Sequence, residues 1–162
     1  MAPVIRSITA EDNPGIAAII RTVMPEFGAS GKGFAIHDDE VDNMYATYTK
    51  GRAAYFVCED KGELLGGGGI GPLIGGSDDT CELKKMYILP NGRGRGLGEQ
   101  LLTKCLESAR ELRYENCYLE TFNTMTRAMK LYERRGFRRL PGPLGNTGHF
   151  ACDTFYCLKL RR

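Results

Sequence analysis

The sequence predicts an α+β domain built on a mixed, mostly antiparallel sheet flanked by helices. Three observations lead there. Short β-branched and aromatic runs are separated by turn residues, and amphipathic helical periods lie between some of them. A Gly-rich break also separates the end of one such run from the start of a helix. A length of 162 residues suits a single domain spanning 1–162.

Taken in order, Thr9-Ala10-Glu11-Asp12 resembles a capping box, and Ile16, Ile19, Ile20, Val23 and Met24 follow at helical spacing until Pro25. Phe27 to His37 reads as a Gly-rich loop. Asp39 is placed to cap a second helix carrying Val41, Met44, Tyr45 and Tyr48, with Lys50-Gly51 as the stop. Ala53–Glu59 and Leu64–Ile70 read as hairpin strands around Asp60-Lys61-Gly62-Glu63. Thr80–Leu89 is a strand ended by Pro90-Asn91-Gly92, and Leu97, Leu101, Cys105, Ala109 and Leu112 mark the helix after it. Cys117–Thr121 is a short strand. Thr124 or Thr126 can cap a helix that Gly136 closes, and Phe137–Leu140 and Phe150–Leu160 are the last two strands.

Composition narrows the function classes. Lys and Arg total 22 against 20 Asp and Glu, a net charge of +2, far below the basic excess of a dedicated nucleic-acid binder. With 42% hydrophobic and 26% charged residues the chain is of the globular class. No window reaches the roughly 20 apolar residues of a membrane span, and the start lacks the apolar core of a secretion signal, so a cytoplasmic location is expected. Six cysteines without a C-x-x-C pair, and only two histidines, argue for buried thiols and against a metal site or disulfide framework.

Chemistry concentrates in Arg93-Gly94-Arg95-Gly96-Leu97-Gly98. Closely spaced glycines let backbone N–H groups turn inward, and the following helix start adds unpaired donors and partial positive charge, a nest suited to a pyrophosphate. Arg93 and Arg95 can add charge-assisted contacts. Neither the G-x-G-x-x-G dinucleotide spacing nor a Walker Gly-Lys-Ser/Thr is present. A tight strand-to-helix turn alone would not call for four glycines and two arginines in the seven residues Gly92 to Gly98.

The loop resembles the acetyl-CoA signature of the GNAT superfamily of N-acetyltransferases: Arg or Gln, two residues, Gly, one residue, Gly or Ala, filled here by Arg93, Gly96 and Gly98. The segment Ala128–Phe137, an aromatic-ended helix followed by Gly136-Phe137, is similar to a second block of that family. The likeness is strong from about Cys81 to Phe137 and weak over the first 50 residues.

The resemblance implies that two central strands splay apart and hold acetyl-CoA in the cleft between them, with its pyrophosphate on the amides of Arg93, Gly94, Arg95, Gly96, Leu97 and Gly98. Backbone groups of Met86, Tyr87 and Ile88 would engage the pantetheine arm, and one N–H would polarise the thioester. An amine acceptor would attack directly. Glu82 is then the candidate base, alone or through a water relay, and its alternative is a strand carboxylate paired with Lys84 or an arginine. Tyr132 is the candidate acid and cofactor contact, and its alternative is a core aromatic. Met125 stands where many members carry asparagine, with Asn123 two residues away. Phe34, His37, the acidic run Asp38-Asp39-Glu40, Tyr45, Tyr48 and His149 fall where the family builds acceptor walls, and an acidic run facing the cleft would favour a cationic amine. The implied partners are acetyl-CoA and an amine, with no metal, nucleic acid or membrane, and a homodimer is plausible in the family. The rival reading is a CoA-binding module without turnover.

Overall fold

The computed structural model describes residues 2–160, and its regular elements are β1 (Val4–Ser7), α1 (Asn13–Glu26), α2 (Met44–Tyr48), β2 (Ala54–Asp60), β3 (Glu63–Pro72), β4 (Thr80–Ile88), α3 (Leu97–Glu111), β5 (Asn116–Thr121), α4 (Thr126–Arg134), β6 (Arg138–Leu140) and β7 (Thr154–Lys159). The seven strands form one sheet in the order β1-β2-β3-β4-β5-β7-β6. Only β4 and β5 run parallel, and the other neighbours are antiparallel. The predicted α+β class with a mostly antiparallel sheet is therefore what forms.

Helices cover both faces. On one, Leu97, Leu101, Leu102, Cys105 and Leu106 of α3 pack with Cys81, Leu83, Cys117, Leu119 and Tyr156 of the sheet. On the other, Ile16, Ile20, Val23 and Met24 of α1 pack with Tyr48, Tyr55 and Val57. The hairpin between β2 and β3 turns through Lys61 (φ 54°) and Gly62 (φ 82°), two left-handed residues as a tight right-twisted hairpin needs.

Several boundaries differ from the sequence expectation. The first helix runs through Pro25 to Glu26, because a proline so near the C-terminus forfeits little of the hydrogen-bond ladder. The single helix expected from Asp39 is instead a 3-10 turn, Asp39–Asp42, broken at Asn43 (φ −134°) before α2 begins. Its acidic residues are drawn elsewhere: Glu40 to Lys85 and Asp42 to Arg21, while the Tyr45 N–H donates to the Asn13 side chain at 2.8 Å. Neither Thr124 nor Thr126 caps α4, whose cap position is Met125; the Thr124 hydroxyl donates to the Phe27 carbonyl at 2.7 Å. The last strand starts at Thr154, after a turn that includes Phe150.

One feature of the sheet positions everything that follows. Between Gly67 and Gly69 the β3–β4 register slips by one, so Lys85 and Met86 together oppose Gly68, a β-bulge with Lys85 at φ 51°. Side-chain alternation reverses across it. Cys81 and Leu83 face the α3 layer, Glu82 and Lys84 the α1 side, and after the bulge Met86 and Ile88 return to the α3 layer while Tyr87 faces α1. Lys84 and Lys85 consequently share one side.

The bulge is held by an aromatic ring that only glycines can seat. Tyr55 on β2 lies across β3 over Gly67 and Gly69, and its buried hydroxyl donates to the Lys85 carbonyl at 2.7 Å. A Cβ at Gly69 would stand 2.4 Å from the Ala54 carbonyl oxygen and 2.5 Å from the Tyr55 ring. Gly69→Ala should therefore cost about 1–3 kcal/mol, as overpacking does, and lower the melting temperature by several degrees in a thermal unfolding scan. An unchanged melting temperature would show that the ring is not seated on bare backbone.

Candidate active site

Parallel pairing of β4 with β5 lasts three residues, Thr80, Cys81 and Glu82 against Asn116, Cys117 and Tyr118. Beyond Glu82 the strands part. The cleft between them is lined by Leu83, Met86 and Tyr87 from β4, by Leu119 to Phe122 along β5 and just past it, and by Met125 and Tyr132. With no neighbour on that side, the edge of β4 presents backbone donors and acceptors to whatever fills the gap.

β4 leads into the glycine loop. A 3-10 turn at Pro90–Gly92 is followed by Gly94 (φ 74°) and Gly96 (φ 76°), both left-handed, and Gly96 is the N-cap of α3. The first-turn N–H groups of α3 have no intrahelical acceptor, so they and the helix dipole form an anion site. The two arginine head groups are engaged with protein. The Arg93 guanidinium binds Glu26 at 2.7 and 3.1 Å and its Nε donates to the Ile88 carbonyl at 3.0 Å, while Arg95 binds Asp60 at 2.8 Å. Arg93 thus fixes the end of β4 from the loop that follows it.

A charge cluster covers the root of the cleft on the α1 side. The Lys85 side chain is only 1% exposed, and its ammonium donates to Asp38 at 2.6 Å and Glu40 at 2.9 Å. Glu40 also accepts from the Tyr48 hydroxyl. His149, on the β6–β7 loop, donates from Nε2 to Asp38 at 2.8 Å, and its Nδ1 stands 3.4 Å from Glu120. Glu120 in turn accepts from Thr147 at 2.5 Å and Tyr118 at 2.6 Å. Burial alone would raise Asp38, Glu40 and Glu120, but His149, the lysines and these hydroxyls outweigh it and hold all three below the usual carboxylate range. The same contacts overcome burial at His149 and push it up to about 9.

Glu82 is the exception. It is 4% exposed, and burial, reinforced by Glu120 and opposed by Lys84, His149 and Lys85, raises it to about 7. Glu82, Glu120 and His149 each bring a ligand-capable atom within 4.8 Å of the others, a spacing a metal could use. His149 is held between Asp38 and Glu120, so both of its ring nitrogens face carboxylates.

Of the residues singled out in the sequence, Glu82, Met86, Tyr87 and Tyr132 line one cleft, while Ile88 ends β4 and Arg93 to Gly98 lead into and begin α3. Tyr132 is buried, its ring 5.7 Å from Phe137 and 6.1 Å from Tyr156, and burial raises its hydroxyl so that it stays protonated. Lys84 makes no ion pair with Glu82, although its charge opposes the rise of that carboxyl; its ammonium lies 3.6 Å from Glu40. Asp38, Asp39 and Glu40 do line a second cavity, with Asn43, Thr47, Ile74, Glu82, Lys84, Thr147 and His149, but Asp38 and Glu40 are already matched by cations. The acidic run thus offers a cationic amine little free charge. Met125 reaches the cleft, and Asn123 is exposed. Sequence reasoning missed Lys85 and Glu120, and named Lys84 only as a partner for Glu82. A glutamate within the CYLET strand was a usable signal, whereas the bulge that aims Lys85 left none.

A profile of the acetyltransferase (GNAT) family matches residues 16–137. An uncharacterised N-acetyltransferase of Escherichia coli (strain K12), YjgM, is 45% identical over 153 residues, covering 94% of this chain and 92% of that protein. Among solved structures, a GNAT-family acetyltransferase from Staphylococcus aureus Mu50 superposes with a TM-score of 0.82 at 19% identity, covering 99% of this chain and all of that one. The yncA acetyltransferase of Salmonella typhimurium, solved with its cofactor acetyl-CoA, gives 0.76 at 20% identity, covering 100% and 96%.

His149 ties the β6–β7 loop to both walls, and its charge carries a pH signature. Its proton is held more tightly in the folded chain than at the ordinary value of 6.5, so the clasp stabilises fully below about pH 6.5 and fades as pH rises through about 9. His149→Gln should lower the melting temperature at pH 6, by the equivalent of at most about 3 kcal/mol, and have little effect at pH 10. A pH-independent difference in thermal unfolding would assign the clasp to packing.

Proposed function

Since the chain belongs to the GNAT family of acetyl-CoA-dependent N-acetyltransferases, we propose that it acetylates a primary amine by direct attack on the thioester, with Glu82 as the base. The observation that carries this reading is a buried carboxyl raised to about 7, set where β4 and β5 separate and open to both cavities. Such a group is about half ionised at neutral pH and, in that form, basic enough to accept a proton from an ammonium as it leaves water.

Each remaining part of the chemistry then has a candidate. The α3 N-terminus and the amides of residues 93–98 receive the pyrophosphate, with Gly94 and Gly96 keeping side chains out of its way. The free edge of β4 at Met86, Tyr87 and Ile88 pairs with the amide-bearing arm of the cofactor, and one N–H stabilises the developing oxyanion. The amine nitrogen forms its bond to the acyl carbon, loses its extra proton toward Glu82, and the carbon–sulfur bond breaks. Tyr132, kept protonated by burial, donates its hydroxyl proton to the departing sulfur and regains one from solvent before the next turnover. All 162 residues serve this one unit, and six unbridged thiols, with Cys81 and Cys117 in direct register, support a reducing, cytoplasmic setting.

Glu82→Gln tests the base. Its kcat/KM should fall by about 10²–10⁴, and the limb on which wild-type activity climbs with pH through about 7 should vanish, with acetyl-CoA still bound in calorimetry. Retention of both rate and limb would move the proton transfer elsewhere. Tyr132→Phe keeps the ring and its packing, so a loss of about 10²–10⁴ in single-turnover rate at unchanged melting temperature would assign the hydroxyl to the leaving sulfur. A wild-type rate would leave Tyr132 as a wall of the cleft.

A further inference from the structure

We infer that the acceptor is an α-amino acid whose free carboxylate is read by Lys84; this rests on the transferase reading above and names its substrate class. Lys84 and Glu82 sit two residues apart on the same face of β4, roots about 6.6 Å apart, and both line the cleft and the adjoining cavity. Together with His149 they mark the junction of the two.

Both side chains are nearly enclosed and lack a hydrogen-bond partner among the described residues. Glu82 is 4% exposed and accepts no side-chain hydrogen bond. The Lys84 side chain is 12% exposed; its ammonium stands 3.6 Å from Glu40 and 5.7 Å from the centre of the Tyr48 ring, too far for a hydrogen bond to either. Its one charged contact is that long pair with Glu40, a carboxylate that Lys85 and Tyr48 already engage by hydrogen bonds, so the Lys84 N–H groups remain open to an acceptor entering the cavity.

Neighbouring charges are committed in a way that leaves this pair open. Lys85 is taken by Asp38 and Glu40, and His149 by Asp38 and Glu120. The junction therefore presents one carboxyl for an amine and one ammonium for an anion, side by side. A molecule that carries its reacting amine and a carboxylate on one carbon satisfies both at once. Asn43, Thr47 and the 62%-exposed Ile74 line the outer cavity, where its side chain would lie.

The test compares matched acceptors by CoA release: L-leucine, L-methionine and L-phenylalanine against isoamylamine, 3-(methylthio)propylamine and phenethylamine, which lack only the carboxylate. At least one amino acid should exceed its amine in kcat/KM by about 10-fold or more, the size of a charge-assisted hydrogen bond. Lys84→Gln should raise the KM for that amino acid by about 10- to 100-fold and Lys84→Arg should restore most of it, while calorimetry with acetyl-CoA reports that each variant is folded. Amines turned over as well as or better than their amino acids, or a Lys84→Gln KM equal to wild type, would overturn the inference and leave the transferase reading standing. Acetyl-CoA bound tightly with no acceptor turned over would overturn both.

Discussion

The bulge at Lys85 is the constraint on which the site depends. A strand of regular pleat would send Lys85 toward the α3 layer, into contact with Leu and Cys side chains that offer an ammonium nothing. One extra residue reverses the alternation, and the lysine reaches Asp38 and Glu40 instead. The same residue bends β4, consistent with its parting from β5 three residues earlier. Holding Lys85 in a left-handed conformation costs backbone strain, which the Tyr55 hydrogen bond and the double ion pair offset. The run Gly66–Gly69 on β3 is what admits Tyr55, so a stretch that reads as weak strand material is a seat for the ring that secures β4.

Electrostatic balance at the cleft follows from that placement. A buried ion pair contributes little net stability compared with apolar packing, yet losing either partner exposes an uncompensated charge, so Lys85, Asp38 and Glu40 persist only as a set. His149 and Glu120 extend the set across to β5 and the β6–β7 loop, so four separate chain segments share one charge account. Glu82 stands next to this account without a hydrogen bond of its own. Desolvation therefore acts on it with less compensation than on any neighbouring carboxylate, which is why it alone is raised while Asp38, Glu40 and Glu120 are lowered.

Most of the fold, and the glycine loop proposed to receive the pyrophosphate, were legible in the sequence because they rest on local chemistry. The Gly94 and Gly96 turns, the α3 period from Leu97 and the Gly136 stop each declare themselves within a few residues. The acceptor half depends on contacts between segments distant in sequence: Asp38 meets Lys85 and His149, 47 and 111 positions away. Apolar spacing at Val41, Met44 and Tyr48 gave the right buried face but the wrong regularity, since the carboxylates among them answer to partners outside their own helix. A bulge leaves no pattern in Leu83-Lys84-Lys85-Met86, because either lysine could have been the exposed one.

β4 keeps two sets of obligations on opposite sides. Its α3 side, with Cys81, Leu83, Met86 and Ile88, is bound to the helix whose first turn forms the anion nest, whereas Glu82, Lys84 and Lys85 answer only to loops on the other side. On the proposed reading, changes that alter which small molecule is recognised can therefore accumulate at Asn43, Thr47 or Lys84 without disturbing the layer behind the anion nest. Retargeting such a scaffold is a matter of rewriting one side of a single strand and the loops above it, with the other side left as an unchanged chassis.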